Sequence, residues 1–410
     1  MRTKEHYTFI PMPVSGTHRA LCGHWPHPTL GHFSDDKEKA MRTTAASVSR
    51  NASRATFSTL AASIGLAIAM SFARPTVAEP TPSGFVYTAD EYGKTVSRID
   101  LKSGKVAIIP VDLTPHNVQF VPGDGRLLAV GIAASGGGTE SHDGGGHGGS
   151  EEGEGDKGAA GGGKLIVLDT ADIASALTVS IDVGAHPAHV IADAEGNRAY
   201  VSNSEDDTLS VVDLQKGEAV ATIATGDYPH GLRMSPDGKS IYVANVEDGT
   251  VSVIDIATLA ETARIAVGAT PVQVGFVPDG RRVYVSLRDA NQVAVIDTVT
   301  REVTGRIDVG RSPIQVHATP DGRFVYVANQ GTDEDPDDTV SVIDTASNTV
   351  VKTIRTGRGA HGVTVSSDGD FAFVTNIIDG TVSRISVASQ SVVDTYTVGK
   401  GPNGITFQTP

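Results

Sequence analysis

Residues 235–245 read SPDGKSIYVAN, residues 277–287 VPDGRRVYVSL and residues 319–329 TPDGRFVYVAN. Each sets an Asp-Gly pair just before an apolar run, which ends in Asn in two of the three copies. Asp-Gly supplies the positive φ of a tight hairpin turn. The alternating apolar residues on either side read as antiparallel strands. Looser copies occur as VPGDGRLLAVG (121–131), ADAEGNRAYVSN (192–203), SSDGDFAFVTN (366–376) and PSGFVYTAD (82–90). The turn glycines are Gly84, Gly125, Gly196, Gly238, Gly280, Gly322 and Gly369, spaced by 41, 71, 42, 42, 42 and 47 residues.

A third strand follows each turn, as VSVID (251–255 and 340–344), VAVID (293–297), LSVVD (209–213) and LIVLD (165–169). A fourth runs into the next Val-Gly or Thr-Gly, as in ARIAVG at 263–268. Four strands in about 42 residues is the period of a propeller blade. The last residues, GPNGITFQTP, open a repeat that lacks its turn and second strand, while TPSGFVYTAD begins at that missing turn. The sequence therefore predicts an all-β, seven-bladed propeller whose first blade is completed by the C-terminal strand. Such a ring leaves no free sheet edge around its circumference.

YVAN, YVSN and FVTN followed by VSVID-type strands resemble the bacterial YVTN-repeat β-propellers, a seven-bladed secreted family. The resemblance spans residues 84–410 apart from the two oversized spacings. It implies a fold and an exported protein but no activity, because propellers host unrelated functions. Relatives of this architecture include surface proteins, nucleic-acid binders, lactonases and metal- or haem-carrying propellers.

Residues 41–78 read as a secretory signal: Arg42, Arg50 and Arg54 form a basic region, Leu60 to Ala73 an apolar one, and Thr76-Val77-Ala78 a small-residue cleavage site. Residues 1–40 precede it without apolar periodicity, as an upstream extension from a start placed too early. The propeller is expected over 79–410, with no membrane span, in the periplasm or secreted from a bacterium, as a monomer. The 410-residue chain carries a net charge of −15, and about −20 remains after residue 78, which disfavours a nucleic-acid partner. Cys22 is the single cysteine, so covalent c-type haem and iron–sulfur clusters are excluded. The single tryptophan, Trp25, lies equally far upstream, which disfavours a quinone cofactor of the kind held by Trp-docked propellers.

The 71-residue spacing holds an insertion at 134–162 that contains ESHDGGGHGGSEEGEGDKG (140–158). The repeat resumes in phase at LIVLD, so this is a loop between the second and third strands of one blade. A Gly-rich polar tract of this kind is expected to be disordered. The smaller excess, around GTDEDPDD (331–338), falls in the same kind of loop.

The blade-to-blade loops align as TPHNV (114–118), HPAHV (186–190), YPHGL (228–232), TPVQV (270–274), SPIQV (312–316), GAHGV (359–363) and GPNGI (401–405). His116, His230 and His361 share one position, and His189 falls one step later. The slot opens beside the central channel on the face that bears the insertions. Converging neutral imidazoles are ligands for Zn²⁺ or Cu²⁺. The expected ligands are His116, His189, His230 and His361, with His142 and His147 of the insertion as mobile loop ligands. His317, inside a strand, reads as a packing residue.

Three functions fit these observations. The first is a metal-handling, chaperone-like protein serving a metal-transport component. The second is a non-catalytic scaffold that binds a protein, glycan or nucleic acid through top-face Arg233, Arg311 and Arg358. The third is a lactonase-like hydrolase, for which no catalytic residue is assigned. Non-covalent haem of the d1 type, which needs an axial histidine but no cysteine, remains compatible.

Overall fold

A computed structural model describes residues 80–123, 125–133, 162–173 and 177–410. Its described residues form seven four-stranded antiparallel sheets. Blade 1 runs from the axis outward as Pro402–Gln408, Phe85–Asp90, Thr95–Asp100 and Val106–Pro110. The inner strands of blades 2 to 7 are Leu113–Val121, Pro187–Ala192, Pro229–Met234, Pro271–Phe276, Pro313–Ala318 and Ala360–Val365. Closure is as the sequence predicts: the C-terminal strand pairs antiparallel with Phe85–Asp90, with Val86 opposite Phe407 and Thr88 opposite Ile405.

Period-2 alternation gives each blade two apolar faces, and each face is buried against a neighbour. Seven apolar clusters result among the described residues, one at each blade junction. Leu232 of blade 4 packs with Tyr200 and Leu209 of blade 3. Val274 of blade 5 packs with Val251 and Val253 of blade 4.

The Asp-Gly turns are longer than two-residue hairpins. Met234 and Ser240 are bridged by a turn in which the Gly238 N–H donates to the Ser235 carbonyl at 2.8 Å. Pro236 takes the second turn position, and Gly238 accommodates φ +69° after it. Asp237 accepts from the Ser235 hydroxyl and the Lys239 amide, which closes the loop.

The terminal Asn of YVSN and FVTN, Asn203 and Asn376, is an inter-blade clamp that accepts from the glycine amide ending the blade before. Asn376 donates to the hydroxyls of Thr381 and Ser383 at 2.9 and 3.0 Å, and accepts from the Gly357 amide at 2.9 Å. A Cβ on Gly357 would lie 2.8 Å from the Asn376 side chain, and Gly184, Gly226 and Gly310 are matched in the same way to Asn203, Asn245 and Asn329 of the next blade. Asn376→Ala is expected to cost about 2–4 kcal/mol, because it strands buried donors and acceptors. Denaturant unfolding with an unchanged m-value checks this.

Strands Arg126–Ala133 and Gly163–Asp169 of blade 2 pair directly, with Ile132 opposite Gly163. The 134–162 insertion therefore joins two strands of one blade. The insertion up to residue 161, with His142 and His147, lies outside the described residues, as do the signal region and the upstream extension. No helix among the described residues is long and apolar enough to cross a membrane.

Candidate metal centre

The blade-to-blade loops and the loops between second and third strands share one face. His186 Nδ1 lies 3.3 Å from Glu205 Oε1, and its ring meets Tyr228 edge-on. Just before each inner strand, His186, Tyr228, Thr270 and Ser312 adopt φ of 48°, 56°, 54° and 46°. A left-handed non-glycine residue costs of order 1–3 kcal/mol and needs its surroundings to hold it. Here the carbonyl of each accepts from the residue after the second strand, for instance Ser204 N–H to His186 O and Val246 N–H to Tyr228 O, both at 3.0 Å.

The slot itself is bulged in every blade. Pro229 opposes Asn245 and Leu232 opposes Val243, so blade 4 carries one extra residue between them. The same shift recurs in the other six inner strands. A bulge re-aims consecutive side chains. That is how His189, one step out of phase, joins His116 and His230. Ser202 anchors two of these strands: it accepts from His189 N at 3.0 Å and donates to the His230 carbonyl at 2.6 Å.

His116, His189 and His230 bring ligand atoms within 4.8 Å of one another. His116 Nε2 and His230 Nε2 are 3.3 Å apart. Two nitrogens bound about 2.0–2.1 Å from one tetrahedral ion stand roughly 3.3 Å apart, so these two need not move to share a metal. His189 is 1 % exposed, and its Nε2 is buried with no hydrogen-bond partner among the described residues. A buried imidazole nitrogen without a partner among the described residues, beside two others, is a donor set that fits a Zn²⁺ or Cu²⁺ ion.

The outer contacts set the tautomers. His230 Nδ1 donates its N–H to the Val272 carbonyl at 3.3 Å, which leaves the Nε2 lone pair directed toward the cluster. His116 Nδ1 lies 3.4 Å from Glu91 Oε2 and 3.2 Å from Asn403 Nδ2; donation to the carboxylate is the arrangement that leaves Nε2 free for a metal, and acceptance from the amide opposes it. Asn403 Nδ2 donates to the same carboxylate oxygen at 2.6 Å. Although burial opposes ionisation, the His116 charge and these hydrogen bonds, with His361 adding, hold Glu91 at about 2. His189 differs. Gln273 Oε1 accepts from Val274 N at 2.8 Å, so its amide nitrogen faces His189 Nδ1 at 3.4 Å. Coordination through His189 Nε2 therefore requires this amide to turn or the imidazole to lose its proton.

His361 stands apart from the trio. It is buried on blade 7, with Nδ1 3.2 Å from the Asn403 carbonyl, and its charge reaches Glu91 and His189. Arg311 and Arg358 lie on the expected face, each ion-paired: Arg311 with Asp335 and Asp337, Arg358 with Asp379 at 2.8 Å. Arg233 departs from its expected place on the top face. It lies three residues past His230, half-buried near the end of the inner strand that leads to the Asp-Gly turn. Several acidic loop residues also serve the backbone: Asp206, Asp207 and Asp337 accept from Ala185, Tyr228 and Arg311 amides.

Glu91 was missed by a reading that aligned only the slot loops. It follows the second strand of blade 1, where its amide donates to Gly401 O at 2.9 Å. The corresponding residues are Ser204, Val246, Arg288, Gln330 and Ile377, each bonded to the matching loop carbonyl. Alignment of that position alone singles out a carboxylate.

Burial, and secondarily Arg233, pushes His317 down to about 4, and burial with the neighbouring histidines lowers His189 in the same direction. Below pH about 6.5 the unfolded chain takes up protons that these folded imidazoles refuse. Stability is thus complete above that pH and falls as pH drops from 6.5 toward 4. Chemical denaturation of metal-free protein at pH 7.5 and 5.0 should show the loss, and His317→Gln should lessen it.

A family model described as YNCE-like beta-propeller matches residues 167–281 and 259–409. No curated protein matches the chain. Among solved structures, hydrazine synthase from Kuenenia stuttgartiensis is similar at 19% identity and TM-score 0.57, covering 72% of this chain and 90% of that one. A functionally unknown protein from Desulfotomaculum acetoxidans DSM 771 is similar at 15% identity and TM-score 0.63, covering 80% of this chain and all of the other. At these identities the likeness shows the fold alone.

Proposed function

Since the chain belongs to the YNCE-like β-propeller family, whose fold fixes no chemistry by itself, we propose from its own residues an exported metal-binding propeller. It holds Zn²⁺ or Cu²⁺ on His116, His189 and His230 at the channel mouth, with Glu91 orienting His116. The convergence of three imidazoles around the orphaned His189 Nε2 carries this reading. Three histidines leave a tetrahedral ion one open position. His361, or His142 and His147 from the insertion of the same blade as His116, could supply the fourth ligand or pass the ion on. That suits delivery or storage of a metal better than a closed structural site, and the signal-like segment at 41–78 fits export.

The test is titration of Zn²⁺ into protein beginning at Glu79, purified without a His-tag and stripped by EDTA. One ion bound per chain, with protons released, supports the reading. Absence of stoichiometric binding, or binding undiminished in His189→Gln, removes it.

A further inference from the structure

At one seam of the ring the clamp is built with opposite polarity. Asn203, Asn245, Asn329 and Asn376 occupy one repeat position in blades 3, 4, 6 and 7. Each donates through Nδ2 to a Thr and a Ser hydroxyl of the third strand, at 2.8–3.1 Å. In blade 1 the same position is Asp90, and it meets the same pair of hydroxyls, Thr95 and Ser97. A carboxylate has no proton to give, so here the hydroxyls donate. Thr95 Oγ1 and Ser97 Oγ reach Oδ2 at 2.9 and 2.6 Å, and Thr88 Oγ1 reaches Oδ1 at 2.6 Å.

This seam is the one that closes the ring. Asp90 shares the strand face of Val86, whose apolar cluster joins blades 7 and 1. Gly399 leads from blade 7 into the closing strand and donates its amide to Ser97 Oγ at 3.0 Å. A Cβ on Gly399 would lie 2.3 Å from Asp90 Oδ2. Two further amides hold the same entry: Glu91 N to Gly401 O at 2.9 Å, and Gly93 N to Lys400 O at 3.0 Å.

Asp90 is fully buried, and no cation among the described residues pairs with it. The closing strand Pro402–Gln408 carries no charged side chain. On blade 7, Asp379 pairs with Arg358 and Asp394 with Arg384. On blade 1, Arg98 lies over the Phe85 ring and Glu91 is held by His116 and Asn403. Neither Lys94 nor Lys400, which flank the seam, acts on the carboxyl. Burial pushes the Asp90 carboxyl up from its ordinary value, and the hydroxyls of Ser97, Thr88 and Thr95 with the Gly399 amide offset that only in part. A carboxyl raised on folding contributes stability that is complete below its unfolded value, about 3.9, and lost as pH rises through the folded one. Once protonated, Asp90 regains a donor of the kind asparagine supplies in the four other blades.

We propose that Asp90 makes the closing seam a pH-dependent latch, which holds the C-terminal strand more firmly when its carboxyl is protonated than when it is ionised at neutral pH. The latch acts on ring closure, opposes the acid sensitivity of the buried histidines, and needs no bound metal.

Hydrogen exchange read by mass spectrometry, on the full chain stripped by EDTA, tests the seam locally. Protection of residues 402–408 is corrected for intrinsic exchange and divided by that of 360–365, the inner strand of blade 7, which separates the seam from global unfolding. In the wild type this ratio should rise about threefold or more from pH 7.5 to pH 4.5. Asp90→Asn, which restores the clamp of the other blades, should give a ratio that does not change with pH and should melt higher than the wild type at pH 7.5. Thr88→Val takes one hydroxyl from the ionised carboxylate, so its rise in protection should begin at higher pH. A wild-type ratio that is flat between the two pH values overturns the proposal. So does an Asp90→Asn chain that follows the wild type at both, or melts below it at pH 7.5.

Discussion

His116→Ala combined with His230→Ala is expected to weaken Zn²⁺ binding by about 10⁴-fold while the propeller stays folded. Structural zinc sites draw roughly 10–16 kcal/mol from four ligands, or about 3 kcal/mol each, and each 1.4 kcal/mol is tenfold. The two rings meet edge-on with centroids 5.4 Å apart at the channel mouth, outside the seven apolar junctions, so their loss spares the core. His361→Ala should cost about tenfold or less, since this imidazole lies outside the trio. Gln273→Glu should act in the opposite direction. A carboxylate there can accept from both the Val274 amide and a protonated His189 Nδ1, which frees Nε2 for the ion. An increase of about tenfold is in keeping with such outer contacts. Competition titrations against a chelator read all three. Equal affinity in the double variant and the wild type would mean that the metal binds elsewhere.

The second large effect concerns the ring rather than the site. Deleting residues 402–410 removes the inner strand of blade 1 and leaves Phe85–Asp90 as an open edge on the axis side. Ile405, 6 % exposed, leaves the junction of blades 7 and 1, as does Phe407, whose ring stacks on Phe373. These two side chains contribute about 1.5–3 kcal/mol each, and the lost ladder adds several hydrogen bonds at about 1 kcal/mol each. The sum, roughly 10 kcal/mol, is comparable to the whole stability of an ordinary domain. The truncated chain should therefore lose cooperative unfolding and aggregate through its exposed edge. A synthetic 399–410 peptide added in trans should restore a thermal transition. A truncated chain that melts like the wild type would refute strand closure.

The fold was legible because each blade repeats its own chemistry. Asp237-Gly238, Asp279-Gly280 and Asp321-Gly322 mark the turns, and the amide of Asn376 explains why FVTN ends as it does. The phase of His116, His230 and His361 was equally readable. What escaped reading was local backbone geometry. His189 was read as a ligand although it falls one step later in its loop; the bulge that brings it to its neighbours adds one residue without a sequence mark of its own. Glu91 escaped because it comes from a different loop, brought over the slot by its amide bond to Gly401. Arg233 was assigned to the top face because the strand was not followed past the histidine; it lies three residues further on, toward the Asp-Gly turn.

The central claim is that His116, His189 and His230 share one ion. Crystals of the 79–410 protein soaked in ZnCl₂, with diffraction recorded on both sides of the zinc absorption edge, test it most directly. The account predicts one strong anomalous peak about 2.0–2.1 Å from a ring nitrogen of each of the three histidines, with Glu91 still on His116. An ordered trio with no peak among its nitrogens, while zinc occupies other sites, would contradict it.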